Sequence, residues 1–292
     1  MSAARPTHQA AGVHHRSVGD FVVTVLNDGF LQASLDLVTG IDKPTASGLL
    51  AASFRADPPR ITINAFAVHT PRGVVLIDSG AGATMGANSG HVPANLAAAG
   101  IDPADVTAVL MTHLHPDHVG GLIDAEGRAR YPNAELIVHA TEAGFWLSPE
   151  TLAGAPEGMR AYVEGAQAAV APYKARLRTL TQGEALPGIG IVPAPGHTPG
   201  HSGWLLASGG ASLLVWGDVV HLPGIQFAQP AAGVAFDADG AQAQATRRRL
   251  MDMAAADRVM VAGMHLDFPT FGHVERRGDG YGYVPAVWSP EV

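Results

Sequence analysis

Four potential metal ligands fall within six residues of the segment THLHPDHVGG, which spans residues 112–121. Alternation along an extended segment turns His113 and His115 to the same side, and Asp117 and His118 can then face a second ion. An apolar run precedes the segment and places it beside the core. Three imidazoles and a carboxylate packed there without a partner would be costly to desolvate. The pattern favours a metal site over its alternative, a solvated polar loop.

Three further candidate ligands lie where apolar runs end. His197 follows a strand-like run in PAPGHTPGH, Asp218 ends LLVWGD, and His265 ends VMVAGMH. Taken singly, such a histidine is usually structural and such an aspartate usually caps a helix or turn. Together with the first segment they supply five histidines and two aspartates, which is enough to hold two metal ions.

The composition limits the chemistry and the partners. The 292 residues include 18 basic and 26 acidic side chains, 14 histidines and no cysteine. Without cysteine there are no disulfides, thiolate nucleophiles, Fe–S clusters or cysteine-ligated zinc sites, so a metal must be held by His, Asp or Glu. The formal charge of −8 argues against nucleic acid or an anionic membrane as the main partner.

The sequence also predicts where the protein resides. No run of about 18 apolar residues is present, so no membrane span is expected. The first twenty residues lack the apolar region of a signal peptide, and a cytoplasmic protein is therefore predicted.

Short apolar strands alternate with helices in the N-terminal part of the chain and again in the C-terminal part, which is typical of an α/β enzyme. Residues 1–18 are polar and patternless and are predicted to form a flexible arm, and residues 19–292 a single domain. The tail over residues 265–288 is expected to be irregular. Strands are predicted at 21–26, 61–70, 73–80, 105–112, 134–140, 188–193, 202–208, 211–218 and 258–265, and helices at 92–100, 156–177 and 240–257.

The segment THLHPDHVGG, followed in order by His197, Asp218 and His265, resembles the metallo-β-lactamase superfamily from about residue 20 onward. That resemblance implies an α/β fold of the αββα sandwich type with metals at one edge. It implies Asp218 as a bridge between two ions, which is more similar to hydrolases of lactones, thioesters and phosphoesters than to true β-lactamases. The implied ligands are His113, His115 and His197 for one ion, and Asp117, His118 and His265 for the other.

Segments beyond these ligands resemble the methyl parathion hydrolase branch: FWLS at 145–148, HTPGH at 197–201, AGMHLDFPTFGH at 262–273 and GDGYGYVPAVW at 278–288. The branch implies a homodimer with two divalent ions, Zn²⁺ above all, acting on aryl esters, lactones or organophosphate triesters. This chain has His221 where the insecticide-hydrolysing members carry an apolar residue, and Met85 where they carry a bulky aromatic. These differences argue against efficient phosphotriesterase activity and leave ester and lactone hydrolysis open.

The predicted function is a binuclear metal-dependent hydrolase of carboxylic esters, including lactones and aryl esters, with promiscuous organophosphate triesterase activity as an extension. Two divalent ions can share a water and lower its pKa to about 7, so the bridging hydroxide would be the nucleophile. Asp117 could relay a proton to a poor leaving group. His221 could donate a hydrogen bond to the oxyanion or leaving group, or merely line the pocket.

Other polar and aromatic residues are open to two interpretations. His201 is expected to support its loop rather than bind metal. Asp78 either orients a ligand histidine or caps a turn. Phe145 and Trp146 either line an apolar pocket or pack in the core. The arginines at 247–249 are predicted to lie on a solvated helix face.

Other functions remain as alternatives. A glyoxalase II-like thioester hydrolase would use the same ligands together with a basic glutathione-binding region, for which only Arg276 and Arg277 are candidates. A tRNA-processing nuclease is disfavoured by the negative charge. An iron dioxygenase or flavodiiron oxidoreductase would use similar ligands, because His/Asp sites discriminate weakly between zinc and iron. A binding protein on the same scaffold would be expected to lack a ligand, and none of the seven is missing.

Overall fold

Two seven-stranded β-sheets form the framework of this chain, whose computed structural model describes residues 5–6 and 9–292. The first sheet comes from the N-terminal part of the chain, in which the helices and strands are β1 (Val13–Val18), β2 (Phe21–Gln32), β3 (Val38–Thr39), α1 (Lys43–Ala52), β4 (Arg60–Thr70), β5 (Gly73–Ile77), α2 (Val92–Ala98), β6 (Val106–Leu110), α3 (Pro116–Val119), β7 (Glu135–His139), α4 (Ala140–Trp146), α5 (Pro149–Gly154), α6 (Glu157–Val170) and β8 (Leu177–Leu180). The strand order in this sheet is β1-β2-β4-β5-β6-β7-β8.

The second sheet comes from the C-terminal part of the chain. The elements here are β9 (Glu184–Leu186), β10 (Ile189–Pro193), β11 (Ser202–Ser208), β12 (Ala211–Val215), α7 (Pro223–Gln226), β13 (Gly233–Val234), α8 (Gly240–Asp257), β14 (Met260–Ala262), β15 (Gly272–Arg277) and β16 (Gly280–Pro285). The strand order is β16-β15-β14-β12-β11-β10-β9, and the short strands β3 and β13 pair separately.

The buried side chains divide into layers that match the two sheets. One apolar cluster joins their inner faces, with Val25 and Phe66 of the first sheet in the same cluster as Trp204 and Val215 of the second. A second cluster packs α2, α4 and α6 on the outer face of the first sheet. A third packs α8, through Leu250, on the outer face of the second. The predicted αββα sandwich is therefore confirmed.

The direction of the strands gathers polar side chains at one edge. Strands β5, β6 and β7 are parallel neighbours, and so are β12 and β14. In such sheets ligands bind beyond the carboxyl ends of the strands. Asp78 directly follows β5, His113 follows β6, Asp218 follows β12 and His265 follows β14.

The structure corrects two expectations about the termini. Val13–Val18, which the predicted arm over residues 1–18 includes, forms β1 and pairs with β2 as an edge strand. Polar residues suit such a strand because its ladder is made by the backbone. Residues 1–4 and 7–8 of that arm lie outside the described part of the chain. The tail predicted to be irregular contains the hairpin β15–β16, in which Arg277 pairs with Gly280 across a two-residue turn.

Within residues 5–6 and 9–292, no helix is long and apolar enough to cross a bilayer.

Candidate metal centre

The seven residues predicted as metal ligands meet at the edge where the strands end. Six of them form two groups of three, and within each group the side-chain donor atoms lie within 4.8 Å of one another. These are the two ligand groups that the resemblance implies. The first triad is His113, His115 and His197, and the second triad is Asp117, His118 and His265.

One carboxylate oxygen faces both triads. Asp218 lies in the turn after β12, and its Oδ2 atom is 2.9 Å from Nε2 of His265. The same oxygen lies 3.3 Å from Nε2 of His118 and of His197, and 3.6 Å from Nε2 of His113. Asp218 thus occupies the position between two potential metal sites.

Several buried polar atoms at this centre indicate what it could hold. Among the described residues, Nε2 of His113, Nε2 of His118 and Oδ1 of Asp218 have no hydrogen-bond partner. Leaving such an atom buried and unsatisfied costs about 1–3 kcal/mol. Imidazole nitrogens and carboxylate oxygens are the ligands that Zn²⁺ and similar divalent ions take. The residues present therefore fit two divalent cations.

Burial and the neighbouring carboxylates shift the pKa values of the histidines at this centre in opposite directions. Burial opposes a charge on His197, but hydrogen bonds to Asp218 and Asp237 raise the pKa of this imidazole to about 9. Burial also opposes a charge on His118, yet Asp218 and its carboxylate neighbours raise the pKa of that ring well above its usual value. The pKa of His113 moves the other way, because burial and the adjacent imidazoles disfavour its protonation. The carboxylates of this centre thus favour positive charge at His118 and His197.

Asp78 fixes the orientation of His118. Its Oδ2 atom accepts a hydrogen bond from Nδ1 of His118 at 2.6 Å. The backbone N–H and the hydroxyl of Thr112 donate to the same carboxylate at 2.8 and 2.7 Å. Of the two interpretations of Asp78, this contact favours the one in which it orients a ligand histidine, and the Nε2 atom of His118 is left to face Asp218.

Asp237 does the same for His197, and the sequence analysis missed it. Its Oδ1 atom accepts from Nδ1 of His197 at 2.9 Å, and its side chain is 1 % exposed. The only sequence signal is its place in FDADG before α8, where Asp239 caps the helix and accounts for the pattern. On the other side of the centre, Nδ1 of His265 donates to the carbonyl of Thr62 at 2.7 Å.

His201 lies beside the centre but has no free ring nitrogen. Its Nδ1 atom donates to the carbonyl of Ala194 at 2.8 Å, and its Nε2 atom accepts from the backbone N–H of Asp218 at 2.9 Å. Burial lowers the pKa of His201 to about 3, so the ring is neutral. The geometry supports the prediction that His201 holds its loop rather than a metal.

A pocket opens over the two triads. Its polar floor includes Asp117, Asp218 and His265, and its wall is mostly apolar: Leu31, Ile61, Met85, Pro116, Tyr162 and Phe236. His221 also lines it, with Nε2 3.2 Å from Oδ2 of Asp218. Burial lowers the pKa of His221 to about 4, which keeps this imidazole neutral.

The aromatic pair at 145–146 belongs to the core rather than to the pocket wall. Trp146 is 1 % exposed within the outer cluster of the first sheet, and Phe145 packs against that cluster. The ring of Trp146 meets the ring of His115 edge to face, with centroids 5.3 Å apart. Trp146 thus packs directly against the ring of His115.

The prediction of a solvated face for the arginines at 247–249 is wrong for Arg247. Its guanidinium is 1 % exposed and donates to the carbonyls of Val219, Pro230 and Ala232 at 2.7–3.0 Å. The reason is that α8 packs against the segment after Asp218, whose buried carbonyls need donors. The other two arginines of the run are exposed, as predicted.

Comparison with known proteins agrees with this arrangement. The family model described as the metallo-β-lactamase superfamily matches residues 59–265. The solved hydrolase AbOPH, described as a member of the β-lactamase superfamily, is 35% identical with a TM-score of 0.92, over 97% of this chain and 100% of that chain. The solved dizinc quorum-quenching lactonase AidC is 24% identical with a TM-score of 0.89, over 96% of this chain and 99% of that chain, a likeness that shows the fold alone.

Curated relatives match over shorter stretches. The N-acyl homoserine lactonase AttM of Agrobacterium fabrum is 32% identical over 118 residues, 37% of this chain and 39% of that protein. The chain spans from about a fifth to two fifths of the length of the AttM lactonases that it matches. The family model covers well over half of the chain, and AbOPH is similar over its whole length. The chain therefore belongs to the metallo-β-lactamase superfamily.

Proposed function

We propose that this protein is a binuclear metal-dependent hydrolase of carboxylic esters, with lactones and aryl esters as its substrates. The observation that carries the proposal is Oδ2 of Asp218, which faces both triads on the floor of an apolar pocket. The description of AttM as an N-acyl homoserine lactonase supports the lactone part. The first triad would hold one divalent ion, Zn²⁺ above all, and the second triad would hold the other, with Asp218 facing both.

Bound ions would supply Lewis-acid polarisation of the substrate carbonyl and a water acidic enough to attack it near neutral pH. The chain's own residues prepare this site. Asp78 and Asp237 hold the rings of His118 and His197 with Nε2 turned toward Asp218. Such outer partners fix the tautomer of a ligand histidine and increase its basicity.

Asp117 and His221 are the proposed catalytic side chains. The pKa of Asp117 is held far below its usual value because nearby His118 and His265 outweigh the effect of burial, so the carboxylate is ionised where it borders the pocket. We propose that it takes up the proton released by the attacking water and passes it to the departing alkoxide. His221 is neutral, so its one ring N–H is the Nε2–H that faces Oδ2 of Asp218 at the pocket. We propose that this N–H donates a hydrogen bond to the leaving group as it departs.

The pocket wall favours substrates with an apolar acyl or aryl group. Leu31, Ile61 and Phe236 offer such a group a place out of water, while the polar floor receives the ester. We further propose that the chain lies in the methyl parathion hydrolase branch and forms a homodimer. Because Met85 and His221 both border the pocket, organophosphate triesters are proposed as poor substrates at most. The cytoplasmic location stays a prediction.

No contact in the described part of the chain favours the glyoxalase II-like alternative. The basic pair that a glutathione site would use is already engaged, because Arg276 pairs with Asp252 at 2.7 Å and Arg277 with Glu275 at 2.6 Å. Neither arginine borders the pocket over the two triads.

The proposal is tested with a panel of substrates on the zinc-loaded protein and on Asp218→Ala. The panel contains phenyl acetate, dihydrocoumarin, an aliphatic lactone, S-lactoylglutathione and methyl paraoxon. We expect turnover of the esters and lactones by the wild type and its loss in Asp218→Ala. Turnover of the thioester alone would instead support the glyoxalase-like function. A zinc-loaded protein inactive on the whole panel would contradict the proposed substrate class.

A further inference from the structure

Glu142 is a buried carboxylate that no part of the proposed reaction uses. It lies in α4 and is 0 % exposed. Its Oε1 atom accepts from the backbone N–H of Leu114 at 3.1 Å. Its Oε2 atom accepts from the hydroxyl of Thr198 at 2.7 Å and from the backbone N–H of Gly200 at 2.8 Å. Burying a carboxylate this completely costs free energy. Its three hydrogen bonds offset that cost only while all three donors stay in place.

The three donors belong to two separate loops, each of which carries part of the first triad. Leu114 lies between His113 and His115 in the loop that follows β6 of the first sheet. Thr198 directly follows His197 in the loop after β10 of the second sheet. One carboxylate therefore joins the histidine loops of two different sheets.

The contact leaves little room for adjustment. A Cβ atom placed on Gly200 would lie 2.2 Å from the backbone nitrogen of Glu142, so the loop can approach α4 this closely only with glycine there. On the far side of the loops, the backbone N–H of Ser202 donates to the carbonyl of Thr112 at 2.9 Å. With Glu142, this bond fixes the separation of the two loops.

The second triad is held by other groups. His118 is oriented by Asp78, and His265 by the carbonyl of Thr62. The hydrogen bonds of Glu142 reach neither residue nor Asp117. The two potential metal sites thus have different supports, and removal of Glu142 should affect them unequally.

We infer that Glu142 is a positioning residue for the first metal site: it sets the spacing between His113 and His115 on one loop and His197 on the other. The inference rests on the proposed two-metal site. Glu142 makes no hydrogen bond to the second triad and does not line the pocket over the two triads.

The test separates the two sites with background variants. His265→Ala leaves the first triad intact, and His197→Ala leaves the second intact. In each background the zinc affinity of the metal-free protein is measured by competition with a chromophoric chelator, with and without Glu142→Ala. Outer partners of metal ligands are worth about 10–100-fold in affinity. We expect a loss of about that size in the His265→Ala background and a change below about twofold in the His197→Ala background.

Glu142→Gln keeps the shape and one acceptor oxygen while its NH₂ group opposes one of the donors. It should give an intermediate loss in the His265→Ala background and an altered visible spectrum of Co²⁺ at the first site. Glu150→Ala, on an exposed glutamate of the next helix, is the matched control and should change nothing. Circular dichroism establishes that each variant is folded.

The outcomes distinguish the inference from the function on which it rests. Equal losses in both backgrounds would mean that Glu142 stabilises the fold in general, and unchanged affinity in both would mean that it positions nothing. Either result overturns the inference while the wild type still binds two zinc ions. A wild-type protein that binds no zinc would overturn the proposed function and, with it, the inference.

Discussion

The Nδ1 atom of His197 lies 2.9 Å from Oδ1 of Asp237, and the Nε2 atom of the same ring lies 3.3 Å from Oδ2 of Asp218. The imidazole is therefore held between two carboxylates, one behind it and one at the centre of the site. This arrangement fixes which nitrogen is presented to a metal. It also shows how the loop before α8, which carries no predicted ligand, contributes to the centre.

Replacing Asp237 should weaken metal binding without removing a ligand. Because Asp237→Ala frees the ring of His197 to rotate, we expect zinc affinity to fall by about 10–100-fold. Chelator competition on the metal-free protein measures the change. Asp279→Asn, on an exposed carboxylate of the β15–β16 turn, is the control. Equal affinities for wild type and Asp237→Ala would show that the Asp237 contact does not orient the ligand.

Arg247 should be important for stability, whereas its neighbour Arg248 should not. Arg247→Ala leaves the buried carbonyls of Val219 and Pro230 without a donor and that of Ala232 with Gln226 alone. Each unsatisfied carbonyl costs about 1–3 kcal/mol before relaxation. We expect the free energy of unfolding to fall by about 3 kcal/mol in urea denaturation at matched zinc content. The exposed Arg248→Ala should remain within about 0.5 kcal/mol of the wild type. Similar values for the two variants would contradict the buried role.

The meeting of the proposed strand-end ligands was predictable because each follows an apolar run that marks a strand, and parallel strands bring their ends to one edge. Asp237, Glu142 and Arg247 gave no such signal. Each lies in or just before a helix, and each acquires its partner from a segment at least fifteen residues away, so only the packing of helix on loop reveals it.

The terminal strands were missed for a related reason. The edge strand β1 and its counterpart β15, which lies second from the edge of the other sheet, have polar sequences, VHHRSV and GHVERR. Both lack the apolar alternation that marks a half-buried strand. Their pairing depends on backbone hydrogen bonds to β2 and β16. The turn at Gly278 and Asp279 was the available signal for the hairpin, since a Gly/Asp pair between two short runs is typical of a two-residue turn.

His221 should be more important for poor leaving groups than for good ones. If its ring N–H donates to the leaving group, His221→Ala should lower kcat for an aliphatic lactone by about 100-fold. For a p-nitrophenyl ester, whose phenolate departs unaided, the decrease should stay below about fivefold. Steady-state kinetics on the two substrates give the comparison. Equal decreases would indicate that His221 only lines the pocket.

Phe236 should act on substrate affinity and leave the chemical step nearly intact. Its ring borders the pocket and meets the ring of His221 edge to face, with centroids 5.1 Å apart. Phe236→Ala removes apolar contact of about 1–2 kcal/mol, which corresponds to an increase in KM of about tenfold for an apolar aryl ester. Because this contact is the same in ground and transition states, kcat should change less than about threefold. A large decrease in kcat with unchanged KM would refute this role.

Zinc binding should release protons and weaken as the pH falls. The pKa of His197 in the metal-free protein is raised to about 9, so the ring carries a proton at pH 7, whereas a ligand imidazole must be neutral. Proton release on zinc addition, followed with a pH indicator in weak buffer, should be clear at pH 7 and should diminish above pH about 9. Zinc binding that releases no proton at pH 7 would contradict the assignment of His197 as a ligand.

We propose that two divalent ions, which the two triads and Asp218 would hold, make this protein an ester and lactone hydrolase. The most direct test is a titration of the metal-free protein with Zn²⁺, in which bound metal and hydrolysis of dihydrocoumarin are measured on the same samples. We predict that activity rises until two zinc ions are bound per chain, and that Asp218→Ala reaches neither this stoichiometry nor measurable turnover. Full activity in the metal-free protein, or in Asp218→Ala, would contradict the claim.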